Sequence, residues 1–453
     1  MKNSRFVISS DPEALAASAT FRRLLEADPT GTRAQYDWVR EQMRQTSLLV
    51  GDDVAPFCFA PAVVSKRRME PIKKQVARLM RILKRLEPVL LRPRWLNKIG
   101  ISDAEQDLIR LPAGFDLGLH HSRVDGFLGP PTGDDTGFRI VELNVDSPGG
   151  AGYLDAASRI LAATPVWKEF RRLHPGRHPQ SGKRILDLLL KAYRLWGGLG
   201  KPRIGITDWI TVSTVSEFEV LRARFEKAGI ETVIVDPREL EFSGGRLRDY
   251  DGKPIDLVYR RVLVEDLLAH GSDARALLDA YRAGAVCVLN PFRCKPLTVK
   301  SLMAVFHEPE MEEILGRSAS AFLRTLVPWT AIVEDGPVLE RIETNRESLV
   351  LKPADSWGGQ GIYLGWEVTD SQWRDAIQEA LSGRYIAQER VFIPKTEMPR
   401  VAGDGWEYAS YSVDFNPYTF SSGVGLPLIR LAGTDLLNIK AGGQLTVSYV
   451  IDN

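Results

Sequence analysis

The stretch SLVLKPADSWGGQGIYLGW places a lysine, Lys352, at the end of a predicted strand and a glycine-rich turn directly after it. Backbone N–H groups in such a turn can close on phosphate oxygens, and a lysine supplies a point charge for them. We therefore predict a phosphate-binding turn formed by Gly358, Gly359, Gln360 and Gly361. The alternative is a β-hairpin whose tip needs residues with positive φ and binds no ligand.

A second segment, VELNVDSPGG, places two oxygen-bearing side chains, Glu142 and Asn144, between apolar neighbours. Residues i and i+2 of a strand share a face, so both oxygens point the same way. A carboxylate paired with an amide oxygen suits magnesium bound to phosphates. Asp125 lies on the preceding predicted strand and can reach the same face across a hairpin, and Arg123 lies two residues before it. The alternative is the polar outer face of an antiparallel sheet.

Two further cations are candidates for contacts with an anion. Lys300, in NPFRCKPLTVKSLMAVF, is predicted at the start of a helix. A lysine in the first turn opposes the helix dipole, which favours an anionic partner, although a surface lysine is the alternative. Arg430, in GLPLIRLAG, lies on a late predicted strand. It can neutralise a phosphoryl group in transfer or form a structural salt bridge.

One more strand has features of a base-binding segment. The run YIAQERVFIP is apolar and carries Gln388, Glu389 and Arg390. Such a strand suits an adenine slot in which backbone groups contact the edge of the base, but many edge strands look alike.

The elements that must position these residues follow from hydrophobic periodicity. Residues 11 to 110 have helical spacing, and residues 113 to 145 indicate two antiparallel strands joined by a hairpin. Residues 183 to 290 alternate strands and helices, which predicts a parallel sheet with right-handed crossovers. The stretch RRLHPGRHPQSGKR is predicted to be an exposed loop, and the pattern after about residue 296 is α+β. We therefore predict four parts, residues 1–112, 113–182, 183–295 and 296–453.

Composition excludes several classes of function. The 453 residues include 59 basic and 58 acidic side chains, so electrostatics favour neither a nucleic-acid nor a membrane partner. The three cysteines, Cys58, Cys287 and Cys294, form no CxxC pair, and their odd number argues against a disulfide framework. The sequence shows neither a signal peptide at its start nor a run of about 20 apolar residues. We expect a cytoplasmic enzyme, and the sequence leaves its oligomeric state open.

Taken together, these segments resemble the circularly permuted ATP-grasp family, which includes glutathionylspermidine synthase-like proteins, and in particular an uncharacterised bacterial branch of it. Ordinary ATP-grasp enzymes place their two nucleotide lysines before the Glu-x-Asn magnesium strand. Here Glu142 and Asn144 precede Lys300 and Lys352, which matches the permuted order. The resemblance covers roughly residues 115 to 453, and its motifs are specific as a set but weak singly.

The resemblance implies an α/β (α+β) protein with a circularly permuted ATP-grasp fold, a βαβ pre-ATP-grasp-like domain and a helical N-terminal region. It also implies ATP and Mg²⁺ as cofactors. By this resemblance, magnesium is held by Asp125, Glu142 and Asn144, and the ATP phosphates are bound by Lys300, Lys352 and the 358 to 361 turn. The resemblance also implies that the transferring phosphate is stabilised by Arg123 and Arg430. It implies that the adenine pocket is lined by Gln388, Glu389, Arg390 and Val391. The hairpin between Asp125 and Glu142 is longer than in the synthase, so Asp125 is the least secure ligand of the three.

The function that these features imply is an ATP-dependent carboxylate–amine ligase. ATP phosphorylates a small-molecule or peptide carboxylate, and an amine attacks the acyl phosphate to give an amide, ADP and phosphate. Ser147, Gly149 and Gly150 follow the magnesium strand and are expected to shape the carboxylate site. An ATP-dependent phosphotransferase or kinase on the same fold is one alternative, and a non-catalytic nucleotide-binding protein is another. The sequence identifies neither the acid nor the amine.

Overall fold

A computed structural model describes residues 11–116, 120–356, 358–421, 423–437 and 442–452 of the chain. The α-helices are α1 (Pro12–Ala27), α2 (Pro29–Gln45), α3 (Lys66–Leu90), α4 (Pro93–Ile99), α5 (Asp103–Ile109), α6 (Ala151–Ala163), α7 (Pro165–Leu173), α8 (Ser181–Trp196), α9 (Val215–Lys227), α10 (Val264–Ala269), α11 (Arg275–Arg282), α12 (Leu302–Val305), α13 (Glu310–Leu315), α14 (Arg317–Leu326), α15 (Pro337–Thr344) and α16 (Asp370–Ser382). Short 3₁₀ helices span Pro237–Glu239, Phe292–Leu297 and Arg346–Ser348.

The β-strands form six sheets among the described residues. They are β1 (Leu49–Val50), β2 (Asp53–Val54), β3 (Ala62–Ser65), β4 (Ser122–Leu128), β5 (Phe138–Asn144), β6 (Gly176–Arg177), β7 (Ile204–Thr207), β8 (Thr232–Val235), β9 (Glu241–Ser243), β10 (Arg246–Arg248), β11 (Leu257–Arg260), β12 (Cys287–Leu289), β13 (Thr330–Ile332), β14 (Leu349–Pro353), β15 (Tyr363–Leu364), β16 (Tyr385–Glu389), β17 (Lys395–Ala402), β18 (Gly405–Val413), β19 (Asn416–Phe420), β20 (Gly423–Ala432), β21 (Gln444–Thr446) and β22 (Ser448–Ile451).

The largest sheet joins an early hairpin to late strands. Its order is β17-β18-β20-β19-β4-β5, and β21 pairs with β20. The predicted antiparallel pair of strands is confirmed as β4 and β5, and β4 pairs with β19 from near the end of the chain. The strands that carry the predicted magnesium ligands therefore share a sheet with the strand that carries Arg430.

A second sheet confirms the predicted alternation of strands and helices. Its order is β12-β11-β7-β8, and all three pairings are parallel. Every residue of β7, β11 and β12 is buried, as expected for a parallel sheet with covered faces.

A third sheet, of order β13-β16-β14-β15, is antiparallel and holds the glycine-rich turn between β14 and β15. Helix α16 covers it and contributes Trp373, Ala376 and Ile377 to an apolar core of its own. The mixed α/β fold that the sequence predicts is thus confirmed, whereas the predicted domain boundaries stay predictions.

The N-terminal region contains the predicted helices, but it also contains strand β3, which pairs in parallel with β22. One prediction of local structure is wrong. The stretch predicted as a loop around residue 177 contains the end of α7, strand β6 and the start of α8. In both places the partner is β22, which lies far away in sequence, so local periodicity gave no signal of it.

The helical region packs through a buried aromatic cluster. The ring of Phe21 lies edge-on to the rings of Phe59, Trp167 and Phe170, which joins α1 to α7. Asp11 caps α1 by accepting a hydrogen bond from the backbone N–H of Ala14. Across the described ranges, no helix combines the length and the apolar character needed to span a bilayer.

Candidate active site

A cavity of about 190 Å³ lies between the antiparallel sheet of the glycine-rich turn and the largest sheet. It brings together twelve of the residues that the sequence singles out. They are Arg123, Asp125, Glu142, Asn144, Lys300, Lys352, Gly358, Gly359, Gln388, Glu389, Val391 and Arg430. These residues come from opposite ends of the sequence and share one space because the β4–β5 hairpin joins the late strands.

Glu142 and Asn144 lie on one face of β5, directly opposite Asp125 and Arg123 in the antiparallel register. The Glu142 side chain is 30% exposed and points into the cavity lining, and the Asn144 Nδ2 atom is buried without a hydrogen-bond partner among the described residues. A carboxylate and an amide oxygen on one face are hard ligands. This pair therefore fits a magnesium ion.

Lys300 lies beside this pair, but not in the first turn of a helix as predicted. It precedes α12, and its backbone N–H donates to the Ala354 carbonyl at 2.7 Å, which holds the segment in a turn. Its Nζ lies 3.1 Å from Glu142 Oε1 and donates to the Ser356 carbonyl at 2.6 Å. The helix-dipole argument therefore does not apply to it, whereas its position beside the cavity agrees with a contact to an anion.

Lys352 is buried at the end of β14. Its Nζ donates to Gln388 Oε1 at 2.7 Å, and the Val141 carbonyl lies 3.5 Å away. Burial lowers the pKa of Lys352 to about 8, Glu142 raises it and Lys300 lowers it further. Lys352 therefore carries its charge at neutral pH but releases its proton more easily than an exposed lysine.

The glycine-rich turn supplies backbone to the same cavity. Gly358 and Gly359 have φ of 73° and 76°, a left-handed conformation that glycine adopts without strain. Both line the cavity, whereas Gln360 and Gly361 do not. Gly361 has a φ of 68°, and an added Cβ would lie 2.8 Å from the Tyr385 hydroxyl, so both conformation and space favour glycine there.

A buried network of ion pairs joins Arg123, Asp125, Arg430 and Asp414. Arg123 donates to both oxygens of Asp125, at 2.6 and 2.8 Å, and Arg430 donates to Asp125 Oδ2 at 3.0 Å. Arg430 also pairs with Asp414 through its Nε. Burial raises the pKa of Asp125, but the two guanidinium groups outweigh burial and lower it. Both oxygens of the predicted metal ligand Asp125 are therefore bonded to arginines.

The residues of the predicted adenine strand make different kinds of contact. The Gln388 side chain binds Lys352 and donates to Thr330 Oγ1 at 3.1 Å, so its polar atoms have protein partners. The backbone N–H groups of Glu389 and Arg390 donate to Trp329 and Ser348 carbonyls, both at 2.8 Å. Arg390 does not line the cavity, whereas Glu389 and Val391 do.

Six polar or aromatic residues that line the cavity were not found from the sequence: Phe127, Ser356, Trp366, Asp414, Asn416 and Asp435. Asp414 and Asn416 repeat the i, i+2 spacing of Glu142 and Asn144, and that spacing is the signal that could have identified them. Trp366 donates from Nε1 to Asp435 Oδ2 at 3.2 Å, and the Arg390 guanidinium lies 3.9 Å from its ring centre.

The segment predicted to shape a carboxylate site lies behind the arginines. Ser147, Gly149 and Gly150 are not cavity-lining residues. The Gly149 carbonyl accepts a hydrogen bond from Arg123 Nη1 at 2.8 Å, and Ser147 Oγ donates to the Arg261 carbonyl at 2.6 Å. This segment is therefore attached to Arg123, and its role toward a substrate stays a prediction.

Comparison with known proteins identifies the family. The family described as circularly permuted ATP-grasp type 2 matches residues 131–426, and the chain belongs to it. A comparison with curated proteins found no match. ATP-grasp proteins are in general ATP-dependent ligases that use ATP and Mg²⁺.

One solved structure has a similar fold. A glutathione synthetase-like effector from Globodera pallida, in its apo form, is similar with a TM-score of 0.60 and 12% identity over 94% of this chain and 98% of that chain. At this identity the similarity shows the fold alone. D-alanyl-alanine synthetase A from Vibrio cholerae O1 biovar eltor gives a TM-score of 0.26 and 10% identity over 53% of this chain and 92% of that chain, and it carries no argument.

Proposed function

We propose that this chain is an ATP-dependent carboxylate–amine ligase, which forms an amide through an acyl phosphate and releases ADP and phosphate. The observation that best supports this proposal is the convergence of cations and hard oxygen ligands on one cavity. The cations are Arg123, Lys300, Lys352 and Arg430, and the ligands are Glu142 and Asn144. Phosphoryl transfer needs mainly positioning and neutralisation of charge, which such a set provides.

The phosphates of ATP are bound between the glycine-rich turn and the two lysines. Gly358 and Gly359 line the cavity with backbone, and Lys300 and Lys352 line it with ammonium groups. Glu142 and Asn144 would hold the magnesium ion, which when bound neutralises phosphate charge. Lys300 already contacts Glu142, so a lysine that can bind a phosphate lies beside the carboxylate that would hold the magnesium ion.

In this proposal Arg123 and Arg430 stabilise the phosphoryl group during its transfer. Asp125 bonds both guanidinium groups, and Asp414 bonds Arg430 a second time, so the orientation of each arginine is fixed before any ligand enters. Fixed charges aimed at the place where charge develops lower the barrier because they need no reorganisation during the reaction. In this proposal Asp125 acts chiefly by orienting Arg123 and Arg430.

The reaction has two steps. An oxygen of the substrate carboxylate attacks the γ-phosphorus of ATP, and the bond to the ADP oxygen breaks. The nitrogen of an amine then attacks the acyl carbon, phosphate leaves, and the nitrogen releases a proton. The acid is a small molecule or a peptide, and the segment from Ser147 to Gly150 is proposed to shape its site through the contact between Gly149 and Arg123.

The experiment is ADP release with a panel of small and peptide carboxylates, each with and without an amine, followed by mass spectrometry of the products. We expect an amide whose formation requires both partners and magnesium, and loss of turnover in Glu142→Ala and Lys352→Ala. Glu169→Ala, which removes an exposed ion pair with Arg172 on α7, is the matched control. Wild-type turnover in both active-site variants would contradict the proposal. A stable phosphorylated product formed without an amine would identify a phosphotransferase instead.

A further inference from the structure

Lys295 lies at a junction of three chain segments outside the cavity lining. It is 1% exposed and lies within the 3₁₀ helix Phe292–Leu297 that follows β12. Its Nζ lies 2.7 Å from Glu265 Oε2 on α10, 2.7 Å from Asp355 Oδ2 in the β14–β15 connection, and 3.8 Å from Glu105 Oε1 on α5. One ammonium group therefore joins the helical region, the α/β unit and the segment that leads into the glycine-rich turn.

The start of that turn is held at three successive residues. Lys300 binds Ala354 through its backbone N–H and the Ser356 carbonyl through its Nζ. Lys295 binds the residue between them, Asp355, through its side chain. Because all three contacts come from one short stretch, residues 295 to 300 set the position from which the turn projects into the cavity.

These contacts differ in how they respond to a ligand. The Lys300 Nζ is shared between Ser356 and Glu142 and lies on the cavity wall, so a phosphate that attracts it weakens its contact with Ser356. Lys295 lies outside the cavity lining, so its contact with Asp355 does not compete with the phosphates. The Lys295–Asp355 pair is therefore the contact that can hold the turn while the nucleotide is bound.

The charges at this junction decide which segment moves when the Lys295 ammonium group is lost. The carboxylates of Glu105, Glu265 and Asp355 have oxygens within 4.8 Å of one another, so they repel each other when the ammonium group is absent. The Asp355 side chain is 37% exposed and can turn to solvent, whereas Glu105 at 9% cannot. Loss of Lys295 would therefore displace the turn rather than the helix.

We propose that Lys295 is a positioning residue for the glycine-rich turn. Through Asp355 it fixes the turn where Gly358 and Gly359 face the nucleotide phosphates, and through Glu265 it couples that position to the neighbouring α/β unit. The inference rests on the proposed nucleotide function of the same cavity. The alternative is a purely structural junction, in which loss of either Asp355 or Glu105 lowers stability without a specific effect on nucleotide binding.

The experiment compares two carboxylates of the same junction in the full chain. Asp355→Asn is expected to weaken binding of AMP-PNP with magnesium, measured by calorimetry, by about tenfold or more, because it removes the negative charge that pairs with the buried ammonium group of Lys295. Glu105→Gln keeps the capping box of α5, since glutamine also serves at that position, and should change nucleotide affinity by less than about twofold. Lys295→Gln should match Asp355→Asn, and the double variant should be no weaker than either.

Hydrogen exchange of residues 358 to 364 without nucleotide gives an independent measurement. We expect faster exchange in Asp355→Asn than in wild type and no change in Glu105→Gln. Wild-type binding that persists unchanged in Asp355→Asn would overturn the inference and leave the proposed function intact. A wild-type protein that does not bind the nucleotide would overturn the proposed function, and unchanged exchange in Asp355→Asn would then overturn this inference as well.

Discussion

Asp125 and Glu142 are direct partners across the β4–β5 pair, yet their carboxylates contact different cations. Asp125 is buried between Arg123 and Arg430, whereas Glu142 is partly exposed and contacts Lys300. The resemblance gave both residues one role, that of a metal ligand. Their surroundings predict different consequences when each loses its charge.

Asp125→Asn should destabilise the protein and abolish turnover. The substitution leaves two buried guanidinium groups without their shared carboxylate, and breaking a buried pair costs about 3 kcal/mol or more. Because the pKa of Asp125 is lowered in the folded protein, this stabilisation is complete above about pH 4 and is lost only as pH falls through the lowered pKa. Denaturant unfolding at neutral pH measures the loss.

The matched control for that substitution is Asp37→Asn, which breaks an exposed ion pair between Asp37 and Arg33 within α2. It should change stability by no more than about 0.5 kcal/mol. If Asp125→Asn instead folds as stably as wild type and only requires more magnesium, Asp125 is a metal ligand as the resemblance implies, and the orienting role proposed for it is wrong.

Glu142→Gln should raise the magnesium concentration that gives half-maximal activity by about tenfold or more, because it replaces the charged ligand of the pair. Its effect on stability should be small, since the side chain is 30% exposed and contacts Lys300 in a partly exposed ion pair. A magnesium titration of initial rates measures the shift. An unchanged magnesium requirement in a folded variant would remove Glu142 from the metal site.

The sequence identified many of the residues that line the cavity, but it did not identify the residues with which they form contacts. Strand alternation was enough to place Glu142 and Asn144 on one face, and the glycines at 358 and 359 were enough to predict a turn there. These are local rules, with periods of two residues in a strand and a few residues in a turn. Predictions from these rules agree with the structure because each hairpin involved is formed by residues that are close in sequence.

What sequence could not supply was long-range pairing. The contact of Lys352 with Gln388, the network around Asp125 and the parallel pairing of β3 with β22 each join distant segments. Apolar spacing around Lys300 predicts a helix, but its N–H donates to the carbonyl of Ala354, which directly follows β14 and lies 54 residues later. Such partners are set by packing of whole sheets, which leaves no local pattern.

The pH dependence of ATP use should report Lys352. Its pKa of about 8 lies below the ordinary value for lysine, so its charge is present at pH 7 and is lost as pH rises through 8. We expect kcat/KM for ATP to be level at neutral pH and to fall on the alkaline side with an apparent pKa of about 8. Lys352→Arg should remove this alkaline fall, because a guanidinium group stays charged. An alkaline fall that persists unchanged in an active Lys352→Arg would assign it to another group.

Gln388→Leu should separate orientation of Lys352 from contact with the base. The substitution removes the acceptor of the 2.7 Å hydrogen bond from Lys352 and keeps a side chain of similar size. We expect KM for ATP to rise about tenfold, since a hydrogen bond to a charged group is lost. The alkaline fall in kcat/KM should also move to lower pH, because a hydrogen bond that favours the charged form is gone.

The preference for ATP over GTP should not change in Gln388→Leu, because the polar atoms of Gln388 contact Lys352 and Thr330. Gln45→Leu, an exposed substitution on α2, is the control for general effects of the exchange. A changed ATP-to-GTP preference with an unchanged pH profile would give Gln388 the base-binding role predicted from the sequence. A shifted pH profile with an unchanged preference would instead show that this residue acts through the lysine.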